Sequence, residues 1–145
     1  MTAALQARPP DDAHAGGSDD GSSAYRPGVC NIGPEEIARR RRSAWVAGLA
    51  TVVFYLGLLA IGAPGAVRLI VAVPAAITAV TWLQARERFC VAFGATGTFN
   101  FGPVGELDQV ADEAARRADR RKVASMIARG AAIGLVVGVL AALVP

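Results

Sequence analysis

The stretch that decides the fold is Ala44–Ala85, AWVAGLATVVFYLGLLAIGAPGAVRLIVAVPAAITAVTWLQA, broken in the middle by Gly62-Ala63-Pro64-Gly65. A helix rises about 1.5 Å per residue, so roughly 20 residues cross the hydrocarbon of a bilayer. Ser43–Gly62 and Ala66–Ala85 each have that length, and the glycine- and proline-containing break between them reads as a hairpin turn. Working outward, a third apolar run spans roughly Val123 to Val144. The sequence therefore predicts an all-α membrane protein with three transmembrane helices.

Composition agrees with that class. The chain has 145 residues, of which 53% are hydrophobic and only 19% charged, and the charges fall almost entirely outside the three runs. The net charge of +3 does not point to nucleic acid. The arginines stand at the ends of apolar runs, where they suit lipid headgroups and topology, and no basic face with interleaved aromatics is present. Arg39, Arg40, Arg41 and Arg42 precede the first run. Arg86, Arg88, Arg116, Arg117, Arg120, Arg121 and Lys122 lie between the second and third, whereas the turn joining the first two holds only Arg68. Basic residues stay cytoplasmic, so the expected topology is a multi-pass protein of the cytoplasmic membrane, N-terminus inside and C-terminus outside. Trp45 and Trp82 fall near the cytoplasmic ends, where indoles prefer to lie.

Three segments follow from these boundaries. Residues 1–28, rich in Ala, Gly, Asp, Ser and Pro, read as a disordered tail without the apolar core of a secretory signal, and the lone His14 within it as a passenger. Residues 29–102 form a transmembrane hairpin with flanking Cys, Asn and Gly motifs. Residues 103–145 read as a cytoplasmic amphipathic helix running into the third span.

Local chemistry refines this outline. Gly33-Pro34 is a helix start, since a proline at the first helical position leaves no amide unpaired, and Glu35 and Glu36 then meet the positive end of the dipole. One helix is expected from Pro34 into the first span, with Arg39–Arg42 reaching lipid phosphates. Pro74 predicts a kink in the second span, with Thr78 and Thr81 as candidates to back-bond near it. Phe89, Val91 and Phe93 alternate, as do Phe99 and Phe101, around Gly94-Ala95-Thr96-Gly97. That pattern fits either a short hairpin or a helix ending at Gly94 followed by a loop. Asn31-Ile32-Gly33-Pro34 and Asn100-Phe101-Gly102-Pro103 share a four-residue pattern, read as the same helix-start chemistry used twice.

An amphipathic helix is expected over Glu106–Met126, with Leu107, Val110, Ala111, Ala114 and Ala118 on its apolar face. Asp112–Arg116 and Glu113–Arg117 are its i,i+4 pairs. In the third span Gly130, Gly134 and Gly138 recur every fourth residue, a register that lets backbones approach closely. Whether they face the hairpin or another protomer is left open by the pattern.

Little in the chain carries chemistry. The spans contain no acidic residue and no histidine, which argues against a pump or channel. No catalytic-triad, zinc-protease, phosphate-loop or CxxC pattern is present. The expectation is a protein that is not an enzyme and needs no metal or cofactor. Cys30 and Cys90 are the remaining candidates. Paired thiolates near arginines suit redox exchange or metal capture, whereas free cysteine is also a common small buried residue.

Asn31-x-Gly33 followed by Arg40, a two-span hairpin, and then Cys90 with Phe93, Gly97 and Asn100 resembles the small bacterial inner-membrane hairpin domain found alone or fused to rhodanese sulfurtransferases. That family carries a Cys-Pro-apolar-Tyr element after its second span. Here Val91 stands for the proline, Phe93 for the tyrosine, and Asn100 lies one position late. Pro74 and Thr78 are also similar to a Pro and a Thr of the family's second helix, at a longer distance from the cysteine. The third span and the amphipathic helix have no counterpart, so the resemblance covers about residues 30–100. It implies a homo-oligomerising membrane module near sulfur chemistry. The expected partners are the lipid bilayer and a second copy or another membrane protein. The roles expected are a non-catalytic scaffold or accessory subunit or, alternatively, a thiol redox or sulfur-relay module using Cys30 and Cys90, with anionic-lipid binding through the arginine belts compatible with either.

Overall fold

The computed structural model describes residues 25–144. Pro34 opens α1, Pro34–Ala60, as a single helix with Glu35 and Glu36 in its first turn. It stops at Gly62, whose φ of +65° is the left-handed conformation glycine adopts most readily. Gly62 N–H donates to the Leu59 carbonyl and Ala63 N–H to the Leu58 carbonyl, the paired bonds of a Schellman cap.

The chain reverses through Pro64 into α2, Gly65–Arg68, a 3₁₀ turn at Leu69–Val71, and α3, Ala72–Arg86. The irregularity expected at Pro74 is this 3₁₀ turn. Proline lacks the N–H that would bond the Ile70 carbonyl, and that carbonyl instead accepts from one N–H at the cap of the tightened turn, where the Leu69 carbonyl accepts from another. Thr78 and Thr81 do not serve it: their hydroxyls donate to the carbonyls of Pro74 and Ile77, one turn back on their own helix.

After α3 come a short helix α4, Val91–Thr96, and an antiparallel pair of two-residue strands, β1 Thr98–Phe99 and β2 Asp108–Gln109. Then α5 runs unbroken over Glu113–Leu143. Asp112 caps it, its carboxylate accepting from the N–H groups of Ala114 and Ala115.

Three helical stretches, Pro34–Ala60, Gly65–Arg86 and Glu113–Leu143, are long and apolar enough to cross a membrane. They form a single layer with α3 in the middle, packed on α1 along one side and on α5 along the other, while α1 and α5 share almost no contact. The glycine row of α5 faces α3. A Cβ at Gly134 would lie 2.5 Å from the Ala72 carbonyl, one at Gly138 would lie 2.6 Å from Ala72 Cβ, and one at Gly130 would overlap Val80. The row is thus consumed inside the protomer. On the other side Gly48 lies against Thr78, and the Thr51 and Thr78 hydroxyls bond at 3.1 Å.

Several expectations are corrected. The helix expected from Glu106 begins only at Glu113, because Asp112 takes the cap and residues 108–109 pair with β1. Of its expected apolar face Val110 is buried, but Leu107, Ala111 and Ala114 are exposed. The buried line is Ala115, Asp119 and Met126, leading into the glycines. Glu113 does pair with Arg117, and with Arg120 as well. Arg116 turns away to donate to the Val110 carbonyl.

Residues 89–101 adopt neither arrangement that their pattern allowed. Gly97, at φ +72°, ends α4, and the strand that follows pairs nine or more residues downstream. Pro103, unlike Pro34, starts no helix; its carbonyl accepts from the Glu106 N–H in a tight turn. The tail boundary also moves, since Tyr25–Gly28 are folded onto α5. Residues 1–24, His14 among them, and Pro145 lie outside the described residues.

Candidate functional site

The N-terminus of α1, the C-terminus of α3 and the N-terminus of α5 meet in a cap of buried polar residues. It begins with a tight turn in which Arg26 and Cys30 exchange backbone hydrogen bonds and Gly28 takes a φ of +67°. Next, Asn31 reaches the segment that follows α3. Its side chain accepts from the Cys90 N–H at 2.6 Å and donates to the Cys90 carbonyl at 3.1 Å, so one side chain closes both backbone groups of a residue 59 positions away. The Asn31 N–H donates to the Arg88 carbonyl. Arg88 is the one described non-glycine residue with positive φ, at 52°.

Asn100 brings in the third segment. Its N–H donates to the Asn31 carbonyl, and its own carbonyl accepts from the Gly33 N–H at 2.7 Å, giving a parallel bridge between Ile32 and Asn100. Gly33 has no Cβ because the backbone of Phe101 occupies that space; an added Cβ would stand 3.0 Å from Phe101 Cα. The Asn100 side chain donates to the Pro103 carbonyl. The two Asn-apolar-Gly-Pro segments are therefore partners in one structure, and only the first starts a helix.

A fourth segment enters from α5. Asp119 is fully buried and accepts from the Tyr25 hydroxyl at 2.8 Å and the Gly28 N–H at 2.7 Å. The Tyr25 ring stacks on Phe99 at 4.8 Å. Burial, and then the Asp119 carboxylate it bonds, push the Tyr25 phenol above its ordinary value. Outside the cap core, Glu87 binds Arg129 and Lys122. The hydrogen bond from Arg129 holds its carboxyl below the ordinary value, with Lys122 adding and burial opposing.

Both thiols are buried and unpaired as disulfides. Cys30 Sγ makes a long contact of 3.8 Å to the Ile32 carbonyl. Cys90 Sγ accepts from the Arg40 guanidinium at 3.0 Å, and Arg40 in turn faces the buried Glu36 carboxylate at 3.7 Å. Arg39 also pairs with Glu36. Arg41 and Arg42 form no ion pair among the described residues and stand exposed. No group of three or more His, Cys, Asp or Glu able to hold a metal occurs among the described residues.

The structure thus gathers Cys30, Asn31, Gly33, Arg40, Cys90 and Asn100 in one cap. Pro34 and Gly97 serve as helix start and stop. Gly102 and Pro103 are exposed in the loop beyond, and Gly130, Gly134 and Gly138 lie along α3, away from the cap. Sequence reading missed Asp119 and Tyr25. Asp119, between Ala118 and Arg120, has the neighbours of a solvated helix face, and Tyr25 adjoins a compositionally biased tail. It missed Gln84 too, whose side-chain oxygen accepts from the Val91 N–H and holds α4 against α3. No family model, curated protein or solved structure matches this chain.

Proposed function

We propose that this protein threads the cytoplasmic membrane three times, with the cap and the N-terminus in the cytoplasm, and serves as a non-catalytic scaffold or accessory subunit. It associates there with a second copy of itself or with another membrane protein. Insertion is supported by the outward face of α1, where Val46, Leu49, Val53 and Leu56 are 55–69% exposed. Such a face suits lipid or a membrane partner and is costly in water. Orientation is supported by the charges: Arg39–Arg42, Arg86, Arg88 and the basic turns of α5 cluster at the cap end, and Arg68 stands alone at the other, donating to the Val144 carbonyl.

The observation that carries the scaffold reading is the use made of Asn31, Asn100 and Asp119. All three are buried; Asn31 and Asp119 spend side-chain hydrogen bonds on backbone from a distant segment, and Asn100 joins Asn31 and Gly33 through its own backbone while its side chain bonds the nearby Pro103 carbonyl. The bonds of Asn31 and Asp119 hold the cap rigid. The resemblance of residues 30–100 to the self-associating bacterial hairpin domain favours the same role. With the glycine row consumed by α3, self-association falls to the α1 side of the layer.

A second reading is favoured by the Arg40–Cys90 contact, which sets a cationic donor on a buried sulfur. In that reading Cys30 and Cys90 relay sulfur or electrons. Alkylation of native membranes followed by intact-mass analysis separates the two. The scaffold requires both thiols to react only after denaturation, whereas fast modification, a disulfide or a persulfide supports the relay. Light scattering in mild detergent checks the association: a strictly monomeric, partner-free particle overturns the scaffold.

A further inference from the structure

Because α1 and α5 hardly touch, they leave an open groove over α3 on one side of the layer. Its first half, about 420 Å³, is walled by Gly48 and Thr51 of α1 and Val137 of α5 and floored by Ala75 and Ala79. Its second half, about 270 Å³, shares Thr51 and Val137 with the first and continues to Val144 at the far end of α5. Both halves are apolar along their whole length. Trp45 and Trp82 stand edge to face at the cap end of the groove, ring centroids 6.1 Å apart. They also line the depression above it together with Arg41 and Arg86. That depression runs on into a larger one, about 490 Å³, that adds Arg88. The alignment follows from helix periodicity: Arg41, Trp45 and Gly48 share one face of α1, and Arg86, Trp82 and Ala79 one face of α3.

We infer that this groove is a seat for one anionic phospholipid, its phosphate held by Arg41, Arg86 and Arg88 and an acyl chain laid along α3 between α1 and α5. The inference rests on the membrane reading above and adds to it a specific ligand. Charge complementarity selects the occupant. The three guanidinium groups make no ion pair among the described residues. They crowd the mouth of a slot that is otherwise apolar, which is the polarity of a single amphiphile with a negative head. Arg88 reaches its place through a left-handed backbone that an arginine adopts at a cost, held there by the Asn31 N–H on its carbonyl. A second copy of the chain in the same orientation fits worse. Its own arginines lie at the same depth and would meet these with like charge.

The test uses the two tryptophans, the only ones in the chain, both of which line the mouth. The full chain is reconstituted into phosphatidylcholine vesicles, and into equimolar phosphatidylcholine and phosphatidylglycerol with bromine on the tails of one lipid or the other. Brominated phosphatidylglycerol is expected to quench the indoles more than brominated phosphatidylcholine. Native mass spectrometry after mild detergent extraction is expected to find one retained phosphatidylglycerol per protomer. R41Q/R86Q/R88Q should lower the anionic-over-zwitterionic preference roughly a hundredfold, since each guanidinium near an anionic headgroup contributes about a fivefold factor. R117Q/R120Q, whose arginines pair with Glu113 away from the groove, should retain it. Equal quenching by the two lipids in the unmodified protein overturns the seat without recourse to any variant. So does selectivity that survives the triple substitution, or a dimer whose indoles are shielded from both lipids. Failure of the protein to float with the vesicles overturns the membrane reading instead, so the two failures are told apart.

Discussion

The cap and the helical layer are held together by opposite means. In the layer, α3 and α5 meet through the absence of side chains: Gly130, Gly134 and Gly138 let the backbones approach, and beyond helix backbone bonds the interface is van der Waals contact. In the cap, segments far apart in sequence are joined by single polar side chains, each closing backbone groups that burial would otherwise leave unpaired. The first kind of contact fails by overfilling and the second by deletion. The α3–α5 interface has no room for added volume, and the cap contacts of Asn31 and Asp119 cannot lose a hydrogen-bonding atom.

The largest effect is expected where volume is added to the layer. Gly134→Leu would drive a Cβ to 2.5 Å from both the Ala72 carbonyl and Ala76 Cβ, and backbone cannot move aside cheaply. The expected cost is about 3 kcal/mol, with α5 parted from α3. Gly57→Leu on α1, where nothing lies within 4 Å, is the matched control and should stay within about 0.5 kcal/mol. Denaturant titration in detergent micelles reads both. Equal losses at the two sites would mean that the glycine row is not an internal interface. Next comes deletion in the cap. Asn31→Ala strands the Cys90 N–H, while the Cys90 carbonyl keeps the Gly94 N–H, at a cost of about 2 kcal/mol. Hydrogen exchange should show the Cys90 amide losing protection while the middle of α5 keeps its own; loss of protection throughout α5 would make cap and layer one cooperative unit.

That contrast also explains which parts of the molecule the sequence alone makes legible. The layer was legible because hydropathy is a property of each residue and sums over a window: the three apolar runs, the helix start at Pro34 and the stop at Gly62 are all local. The register of the glycine row was legible, but not the face it meets, because a four-residue spacing is the same whichever helix lies opposite. The cap was nearly illegible. Asn31 and Cys90 are 59 residues apart and pair through geometry that leaves no period. The repeated Asn-apolar-Gly-Pro pattern was visible, yet its meaning, two segments lying side by side through the Ile32–Asn100 bridge, required the fold. Asp119 misled for the same reason: an acidic residue among arginines on a helix suggests water, and only the turn at Gly28 makes it a buried acceptor.

Tyr25→Phe tests how firmly that turn is tied. It removes one bond to Asp119 and keeps the stacking on Phe99, so the expected loss is about 1 kcal/mol. The phenol's raised pKa means its contribution is complete below the ordinary value of 10.0 and declines as pH rises beyond it. Limited proteolysis near Arg26 should therefore accelerate in alkali for the native chain and show less further change in the variant. A variant that stays as protected as the native chain at all pH values would mean that the Gly28–Asp119 bond alone holds the turn.

The smallest effect is expected at the rim, where the cap meets solvent. Glu87 is 19% exposed and shared between Lys122 and Arg129, and exposed pairs of this kind contribute little because water and salt screen them. Its carboxyl pKa is depressed in the folded state, so the contribution is present above the unfolded value near 4.5 and lost as pH falls through the lower folded value. The unfolding midpoint in detergent should drop on acidification across that window, and Glu87→Gln should flatten the drop while costing no more than about 1 kcal/mol at neutral pH. Raising the salt concentration should shrink the difference between the two proteins. An acid profile unchanged by Glu87→Gln would mean that the rim pairs with Lys122 and Arg129 are not what acid weakens.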